Sequence, residues 1–352
     1  MLSDSGRSTR REKAIRVVAI GGGTGLSTLL KGLKRYTVIA AEKPPSSTHI
    51  SDLTAVVTVS DDGGSSGRLR RELGMLPPGD VRNCLVALSE DENLLSKLFQ
   101  YRFSSSGELE GHSFGNLFLA ALTAMTGDFA AAVKKASEIL AARGHILPAT
   151  SANVELESVM DDGSHVRGET KITASEKRIV ELTMVPPCPE PLPQTLEAIA
   201  SADLITMGPG SLFTSLIPNL LVRGIPEAIA ASRAVKVFVC NLMTEANESL
   251  HMSASDHIMA IYAHAGHGLF NYALVNSAPV SQRMKQRYAA ERAEPVECDA
   301  AVVEALGVTC IADNFLDERE TVRHATDRVC RELLRVAQNG TPRARAAHAA
   351  LR

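Results

Sequence analysis

Short apolar runs followed by amphipathic segments recur along most of the chain. The run in residues 15–20 leads into GGGTG and then into the amphipathic segment LSTLLKGL. In the same way, DLTAVVTVS leads into DDGGSSGRLRREL, and ADLITMGPGS leads into LFTSLIPNLL. Strand-like runs that alternate with segments of helical period are typical of β-α units in a parallel sheet. The pattern therefore predicts a doubly wound α/β fold, with a mostly parallel sheet covered by helices on both faces.

A different pattern occupies residues 152–185. NVELESV, HVRGETKI and RIVELTMV are short strand-like segments, and DDGS between the first two is a turn signal. This predicts a small antiparallel β insertion, which the stiff segment PPCPEPLP connects to the next α/β unit. We expect one domain over residues 14–338, with a disordered N-terminal tail at residues 1–13 and a C-terminal tail at residues 339–352.

Three glycine-rich loops follow predicted strands and open predicted helices: the first loop (residues 21–25), the second loop (61–67) and the third loop (208–211). Glycine lets the backbone approach a ligand, and a helix N-terminus offers N–H groups and a positive dipole end to a phosphate. Ligands of such sheets bind outside the carboxyl ends of the strands, so one phosphate site is expected there. The G-K-[ST] signature of a P-loop is absent, which disfavours ATP hydrolysis of that kind. The glycines concerned are Gly22, Gly23, Gly25, Gly64, Gly208 and Gly210.

Asp61 and Asp62 open the second loop, and their role is left open by the sequence. A carboxylate after the second strand commonly accepts hydrogen bonds from a ribose. Alternatively, the pair holds Mg²⁺ that bridges to a diphosphate, with Asp62 as the candidate ligand. Either residue could instead be a turn residue or a helix cap.

Further polar residues lie at predicted helix starts. Asp80 and Ser113 are expected to be caps. Arg82, Asn83 and Asn116 have no such role, and an arginine near a glycine loop is a candidate phosphate ligand. They therefore join the predicted ligand site.

The histidines do not indicate a catalytic or metal site. His112 and Ser113 are adjacent in sequence, and no G-x-S-x-G elbow occurs, so serine hydrolase chemistry is disfavoured. H-E-x-x-H is absent as well. We expect scattered surface positions for the histidines of the segment 251–268, which are His251, His257, His264 and His267.

Composition narrows the class of protein. A net charge of −3 over 352 residues gives no reason to expect a nucleic-acid partner. The six cysteines form no C-x-x-C pair, which disfavours a zinc or disulfide framework and favours a cytoplasmic location. The most apolar stretch, residues 114–133, is interrupted by polar residues and predicts a buried helix rather than a membrane span.

Several longer motifs carry a family resemblance. They include AIGGGTGLSTLLKGLK, AVVTVSDDGGSSGRLRREL, PPGDVRNCLVALS, GHSFGNLFLAALT and GPGSLFTSLIPNLLV. From about residue 15 to residue 334, the chain resembles the YvcK-like gluconeogenesis factors, bacterial proteins described as UDP-sugar-binding and related to 2-phospho-L-lactate transferase. The resemblance implies a Rossmann-like fold that binds a nucleotide-type ligand. It also implies a role in cell shape and wall synthesis during growth on gluconeogenic carbon.

The resemblance adds Thr24, Asn219, Asn241, Tyr288 and Arg323 to the site. Tyr288 could stack on a base and Arg323 could clamp a diphosphate. The predicted ligand-binding residues are Gly22, Gly23, Thr24, Gly25, Asp61, Asp62, Gly64, Ser65, Arg82, Asn83, Asn116, Gly208, Gly210, Ser211, Asn219, Asn241, Tyr288 and Arg323.

Three functional hypotheses follow. The first is a regulator or sensor that binds a UDP-sugar, with UDP-N-acetylglucosamine as the expected ligand and proteins of cell-wall synthesis as partners. The second is a Mg²⁺-dependent transferase that uses a nucleotide-diphosphate donor such as one containing GDP. The third is an NAD-dependent enzyme, which ranks last because no acid/base partner for hydride transfer is identifiable. A homo-oligomer is among the candidate assemblies.

Overall fold

A computed structural model of the protein describes residues 13–38, 48–90, 94–104 and 107–340. Both predicted tails lie outside the described residues, apart from Lys13 at one end and residues 339–340 at the other. The strands of the described chain are β1 (Lys13–Gly21), β2 (Thr48–Val57), β3 (His145–Pro148), β4 (Glu155–Met160), β5 (His165–Arg167), β6 (Ile179–Val185), β7 (Leu204–Met207), β8 (Val235–Val239), β9 (Tyr272–Asn276), β10 (Thr309–Asp313), β11 (Leu316–Glu318) and β12 (Val322–His324).

Helices follow most strands of the main sheet. The α-helices of the described chain are α1 (Gly23–Leu33), α2 (Gly64–Leu73), α3 (Gly79–Leu88), α4 (Leu94–Gln100), α5 (Phe114–Thr126), α6 (Phe129–Ile139), α7 (Glu169–Ala174), α8 (Pro193–Ser201), α9 (Ile217–Leu220), α10 (Ile225–Ala231), α11 (Ala254–Ala265), α12 (Gln282–Ala290), α13 (Ala300–Ala305) and α14 (Thr326–Asn339). A 3₁₀ turn (Lys34–Tyr36) extends α1, and a π-helical turn (Leu212–Leu216) runs into α9.

The main sheet has seven strands in the order β10-β9-β8-β7-β1-β2-β3, and all of its pairings are parallel. The chain builds outward from β1 to β2 and β3 on one side, then returns to place β7 on the other side of β1. The strand order thus reverses between β1 and β7, which is where ligands bind in doubly wound sheets. The predicted fold class is confirmed.

Successive residues of β1 supply both hydrophobic cores. Val17 and Ala19 face the core that contains α1, α3, α5, α6 and α14. Val18 and Ile20 face the opposite core, built with α8 to α11 and the insertion. Each fully buried valine or isoleucine side chain contributes roughly 1.5–3 kcal/mol. Burial on both faces explains why these strands read as continuous apolar runs rather than as alternating ones.

The insertion contains an antiparallel sheet in the order β5-β4-β6, as predicted. The expectation that GETKI continues the second of its strands is wrong, because the chain turns into α7. Gly168 adopts a φ of 100°, which ends β5. Asp62 then accepts hydrogen bonds from the backbone N–H and the Oγ1 of Thr170, at 2.9 and 2.5 Å. This long-range contact fixes the first turn of α7 against the second loop.

The apolar stretch at residues 114–133 is two helices rather than one. Gly127 ends α5 in the left-handed conformation, with a φ of 73°. Asp128 begins α6 by accepting a hydrogen bond from the backbone N–H of Ala131 at 2.7 Å. Nowhere in the described part of the chain does a helix have the length and apolar character needed to cross a bilayer.

Candidate functional site

A cavity of about 1100 Å³ opens at the carboxyl edge of the main sheet, over the reversal point between β1 and β7. It brings together the first and third loops with residues from α3, α12 and β12. Predicted site residues that line it are Gly22, Gly23, Thr24, Gly25, Asn83, Gly210, Ser211, Asn241, Tyr288 and Arg323. Those that do not are Asp61, Asp62, Gly64, Ser65, Arg82, Asn116, Gly208 and Asn219.

The first loop presents the N-terminus of α1 to this cavity. Gly23 adopts a φ of 63°, and Gly22 packs so closely that a β-carbon there would lie 2.7 Å from Oδ2 of Asp80. The N-cap residue Gly22 has no side chain and the first turn of α1 contains no acidic residue, but Asp80 of α3 accepts a hydrogen bond from the N–H of Gly23. Backbone N–H groups and the positive end of the helix dipole are thus directed at the cavity, as anion binding requires.

The first and third loops touch through their backbones. A β-carbon on Gly25 would overlap the carbonyl group of Pro209, so only glycine allows this approach. Asn241 fixes the third loop from behind, since its Oδ1 accepts from the N–H of Gly210 at 3.1 Å and its Nδ2 donates to the carbonyl of the same residue at 2.9 Å. The centre of the cavity is therefore two glycine loops held in one geometry.

Asn219 supports the first loop from below rather than lining the cavity. Its side chain is 0% exposed, and its Nδ2 donates to the carbonyl oxygens of Gly21 and Ser215, at 3.2 and 2.8 Å. The amide thus joins β1 to the turn that follows the third loop. These hydrogen bonds give Asn219 a structural role. That Asn219 also contacts a ligand stays a prediction.

The carboxylates of Asp61 and Asp62 both accept hydrogen bonds from other groups of the protein. Oδ1 of Asp61 accepts from the N–H of Gly63 at 2.8 Å, which is a local turn. Oδ1 of Asp62 accepts from Thr170 of the insertion. In the described residues, no group of three or more His, Cys, Asp or Glu side chains is arranged to hold a metal ion. The ribose and Mg²⁺ hypotheses for the pair both stay predictions.

Three helix starts converge beside the second loop in a buried polar cluster. Oγ of Ser65 lies 3.0 Å from Nδ1 of His112 and accepts from Nδ2 of Asn116 at 3.1 Å. Nη1 of Arg82 donates to Oγ of Ser113 at 2.6 Å, and Ser113 caps α5 as expected. Burial lowers the pKa of Arg82. Its predicted role as a phosphate ligand is untested, and its guanidinium here bonds to the protein.

Comparison with known proteins places the chain in a family. The sequence profile described as 2-phospho-L-lactate transferase CofD matches residues 17–316. The gluconeogenesis factor of Halalkalibacterium halodurans is 48% identical over 332 residues, which cover 94% of this chain and 98% of that protein. That of Bacillus subtilis is 46% identical over 315 residues, covering 89% and 95%. The chain belongs to the gluconeogenesis factor family.

The family's fold has been solved experimentally. The crystal structure of a UPF0052 family protein from Bacillus halodurans matches this chain with a TM-score of 0.85 and 48% identity, covering 92% of this chain and 99% of that one. The resemblance read from the motifs and the relation to CofD are therefore confirmed. The matched residues 17–316 include every predicted site residue of this gluconeogenesis factor family member except Arg323.

Sequence reasoning missed several partly buried carboxyl groups near the loops. Asp80 was expected to cap α3 but lies within its first turn and accepts from the N–H of Gly23, while Pro78 holds the cap position. Burial raises the pKa of Asp80 to about 6. Burial, with the negative charges of Asp61 and Asp80, raises the pKa of Glu169 to about 9. The insertion thus contributes a protonated carboxyl group beside the second loop.

Two further carboxyl groups tie the segment after β8 to the third loop. Glu245 accepts from Oγ of Ser211 at 3.0 Å. Glu248 accepts from the N–H of Phe213 at 3.0 Å and from Oγ1 of Thr214 at 2.8 Å. Burial and the neighbouring Glu245 raise the pKa of Glu248 to about 7. No motif in the sequence marks either residue.

The expectation that the histidines of the segment 251–268 are scattered on the surface is wrong for His257. It is 0% exposed, and its Nδ1 lies 2.7 Å from the carbonyl oxygen of Ser253. His264 joins α11 to the insertion, because its Nε2 accepts from the N–H of Leu182 at 2.9 Å. Both histidines lie on α11 and have structural roles in its packing.

We expect Gly25→Ala to destabilise the protein by about 2 kcal/mol, because the added methyl group forces the first and third loops apart. Thermal or denaturant unfolding would measure the effect. Gly107→Ala is the matched control, since a β-carbon there meets no atom within 4 Å. An unfolding free energy for Gly25→Ala equal to that of the control would contradict the close contact.

The buried carboxyl of Glu248 predicts a pH dependence of stability. The folded state holds the proton more tightly than the unfolded chain, so this stabilisation is complete below pH 4.5 and is lost as the pH rises through about 7. We expect the melting temperature to fall between about pH 5 and pH 8, and to fall less in Glu248→Gln. Glu197→Gln, at an exposed position on α8, should retain the parent's slope.

Proposed function

We propose that this protein binds a nucleotide diphosphate-sugar, UDP-N-acetylglucosamine, and acts as a regulator of morphogenesis and cell-wall synthesis during gluconeogenic growth. The observation that carries the proposal is the cavity at the reversal point, where two glycine loops and the N-terminus of α1 meet. The N–H groups of this helix N-terminus other than that of Gly23, which donates to Asp80, lie behind glycine backbone and are suited to a diphosphate. The regulatory output requires partner proteins that recognise the bound state.

Two side chains at one wall of the cavity support a nucleotide ligand. The hydroxyl of Tyr288 accepts from the N–H of Val322 at 3.2 Å, which holds the phenol ring beside β12. A ring fixed in this way can stack on a base. Arg323 lines the cavity, and its Nε donates to Oγ1 of Thr321 at 3.1 Å. Its remaining guanidinium N–H groups can donate to phosphate oxygens.

A transferase is the second candidate function, and two observations favour it. The matching family profile is described as 2-phospho-L-lactate transferase CofD. In addition, the charge of Asp61 contributes to the raised pKa values of Asp80 and Glu169, which places these carboxyl groups close together. Mg²⁺ bound at Asp62 would neutralise charge on a diphosphate donor such as GDP. The regulator is preferred because the glycine loops supply ground-state binding, and uniform binding alone does not accelerate a reaction.

Isothermal titration with UDP-N-acetylglucosamine, alongside GDP and NAD, tests the ligand class. We expect the UDP-sugar to bind most tightly and Arg323→Ala to weaken its binding about tenfold, or ~1.4 kcal/mol, through loss of a charged phosphate contact. Arg319→Ala is the control, because Arg319 lies in the same β11–β12 hairpin but pairs with Asp317 and does not line the cavity. Equal affinities for the two variants would remove Arg323 from the site.

Turnover separates the two candidate functions. We expect no release of UDP or UMP when the protein is incubated with UDP-N-acetylglucosamine and Mg²⁺, because backbone donors that bind the ground state do not by themselves accelerate a reaction. Chromatography of the nucleotide would measure this. Steady formation of several equivalents of product, lost in Asp62→Asn, would favour the transferase instead. A Mg²⁺-dependent gain in affinity that Asp62→Asn abolishes would assign the metal rather than the ribose role to Asp62.

A further inference from the structure

The cavity has two ends that lie on opposite sides of the glycine loops. One end is formed by residues 241–246, which follow β8, and by Tyr288 of α12, which follows β9. The other end is formed by α3 and α4, which follow β2. Since the strand order is β9-β8-β7-β1-β2, the first and third loops after β1 and β7 separate the two ends.

The two ends differ in chemistry. Tyr288 is the only tyrosine, phenylalanine or tryptophan among the described residues that line the cavity, and it lies at the β8–β9 end. The α3–α4 end has no aromatic residue in its described lining; its polar groups are those of Asn83, Ser96, Lys97 and Gln100, beside the aliphatic side chains of Val86 and Ala87. An aromatic ring suits a base, whereas a set of hydrogen-bond donors and acceptors suits a polyhydroxyl group.

The shape of a nucleotide-sugar then fixes its direction in the cavity. Its diphosphate lies between the nucleoside and the sugar, so a diphosphate at the central loops sends these two groups to opposite ends. A volume of about 1100 Å³ is also larger than a drug-sized ligand requires, which leaves room beyond the nucleotide. We infer that the sugar occupies the α3–α4 end and that Lys97 and Gln100 of α4 are its specificity-determining contacts. This inference rests on the proposed function.

The helical spacing of α4 supports this pair. Lys97 and Gln100 are three residues apart and share one face of the helix, where both line the cavity. Leu98 is 39% exposed and does not line the cavity. A substitution at Lys97 or Gln100 therefore changes an exposed polar face of α4 and leaves its buried residue Phe99 in place.

Titration with two ligands tests the inference. For the parent protein, we expect UDP-N-acetylglucosamine to bind at least fivefold more tightly than UDP. In the double variant Lys97→Ala/Gln100→Ala, this preference should disappear while the affinity for UDP is unchanged. Leu98→Ala, on the same helix, should match the parent with both ligands. Tyr288→Ala should weaken both ligands equally, since it removes a contact to the nucleoside.

The outcomes distinguish this inference from the function on which it rests. If UDP binds and the double variant retains the full preference for the sugar nucleotide, the sugar lies elsewhere and only the inference fails. A parent protein with no preference over UDP, or a double variant that loses UDP affinity as well, would also overturn the assignment. If neither ligand binds to the parent, the proposed function itself is wrong.

Discussion

The backbone contact between Gly25 and Pro209 is the constraint on which the rest of the site depends. It requires that residue 25 have no side chain, since a β-carbon would overlap the carbonyl group of Pro209. Two buried amides then hold the loops in contact, with Asn219 bonded to Gly21 and Asn241 bonded to Gly210. This contact brings together the loops that follow β1 and β7. It therefore sets the direction of α1, and the cavity has a wall on each side of the joined loops.

Two hydrogen bonds attach the insertion to the second loop. Asp62 and Thr170 are 108 positions apart, yet their hydrogen bonds hold α7 against the second loop. As a result, Glu169 lies partly buried beside other carboxyl groups, and desolvation together with their charges raises its pKa. A ligand or cation that changed the charge near Asp61 would therefore also act on the attachment of the insertion. The charges of the insertion and of the second loop are therefore coupled to each other.

The sheet and its loops were predictable from sequence because both rest on local patterns. Buried strands such as β1 and β7 are continuous apolar runs, and glycine clusters follow them directly. By contrast, α7 depends on a partner far away in the chain, and no glycine cluster follows the short strands β9 and β10. The structural roles of Asn219 and Asp80 likewise arise from contacts across the fold, which a single sequence does not encode locally.

The different roles of the polar side chains and of the loop backbone bear on whether the protein is a regulator or an enzyme. Asp62, Arg82 and Asn116, which motifs alone would assign to a ligand, bond mainly to other parts of the protein. The centre of the cavity is formed instead by backbone of the glycine loops, whose N–H groups are fixed before any ligand arrives. Such donors give tight, selective binding of the ground state, and they accelerate a reaction only where they interact more strongly with its transition state. A regulator whose bound state is recognised by another protein needs only tight and selective binding of its ligand.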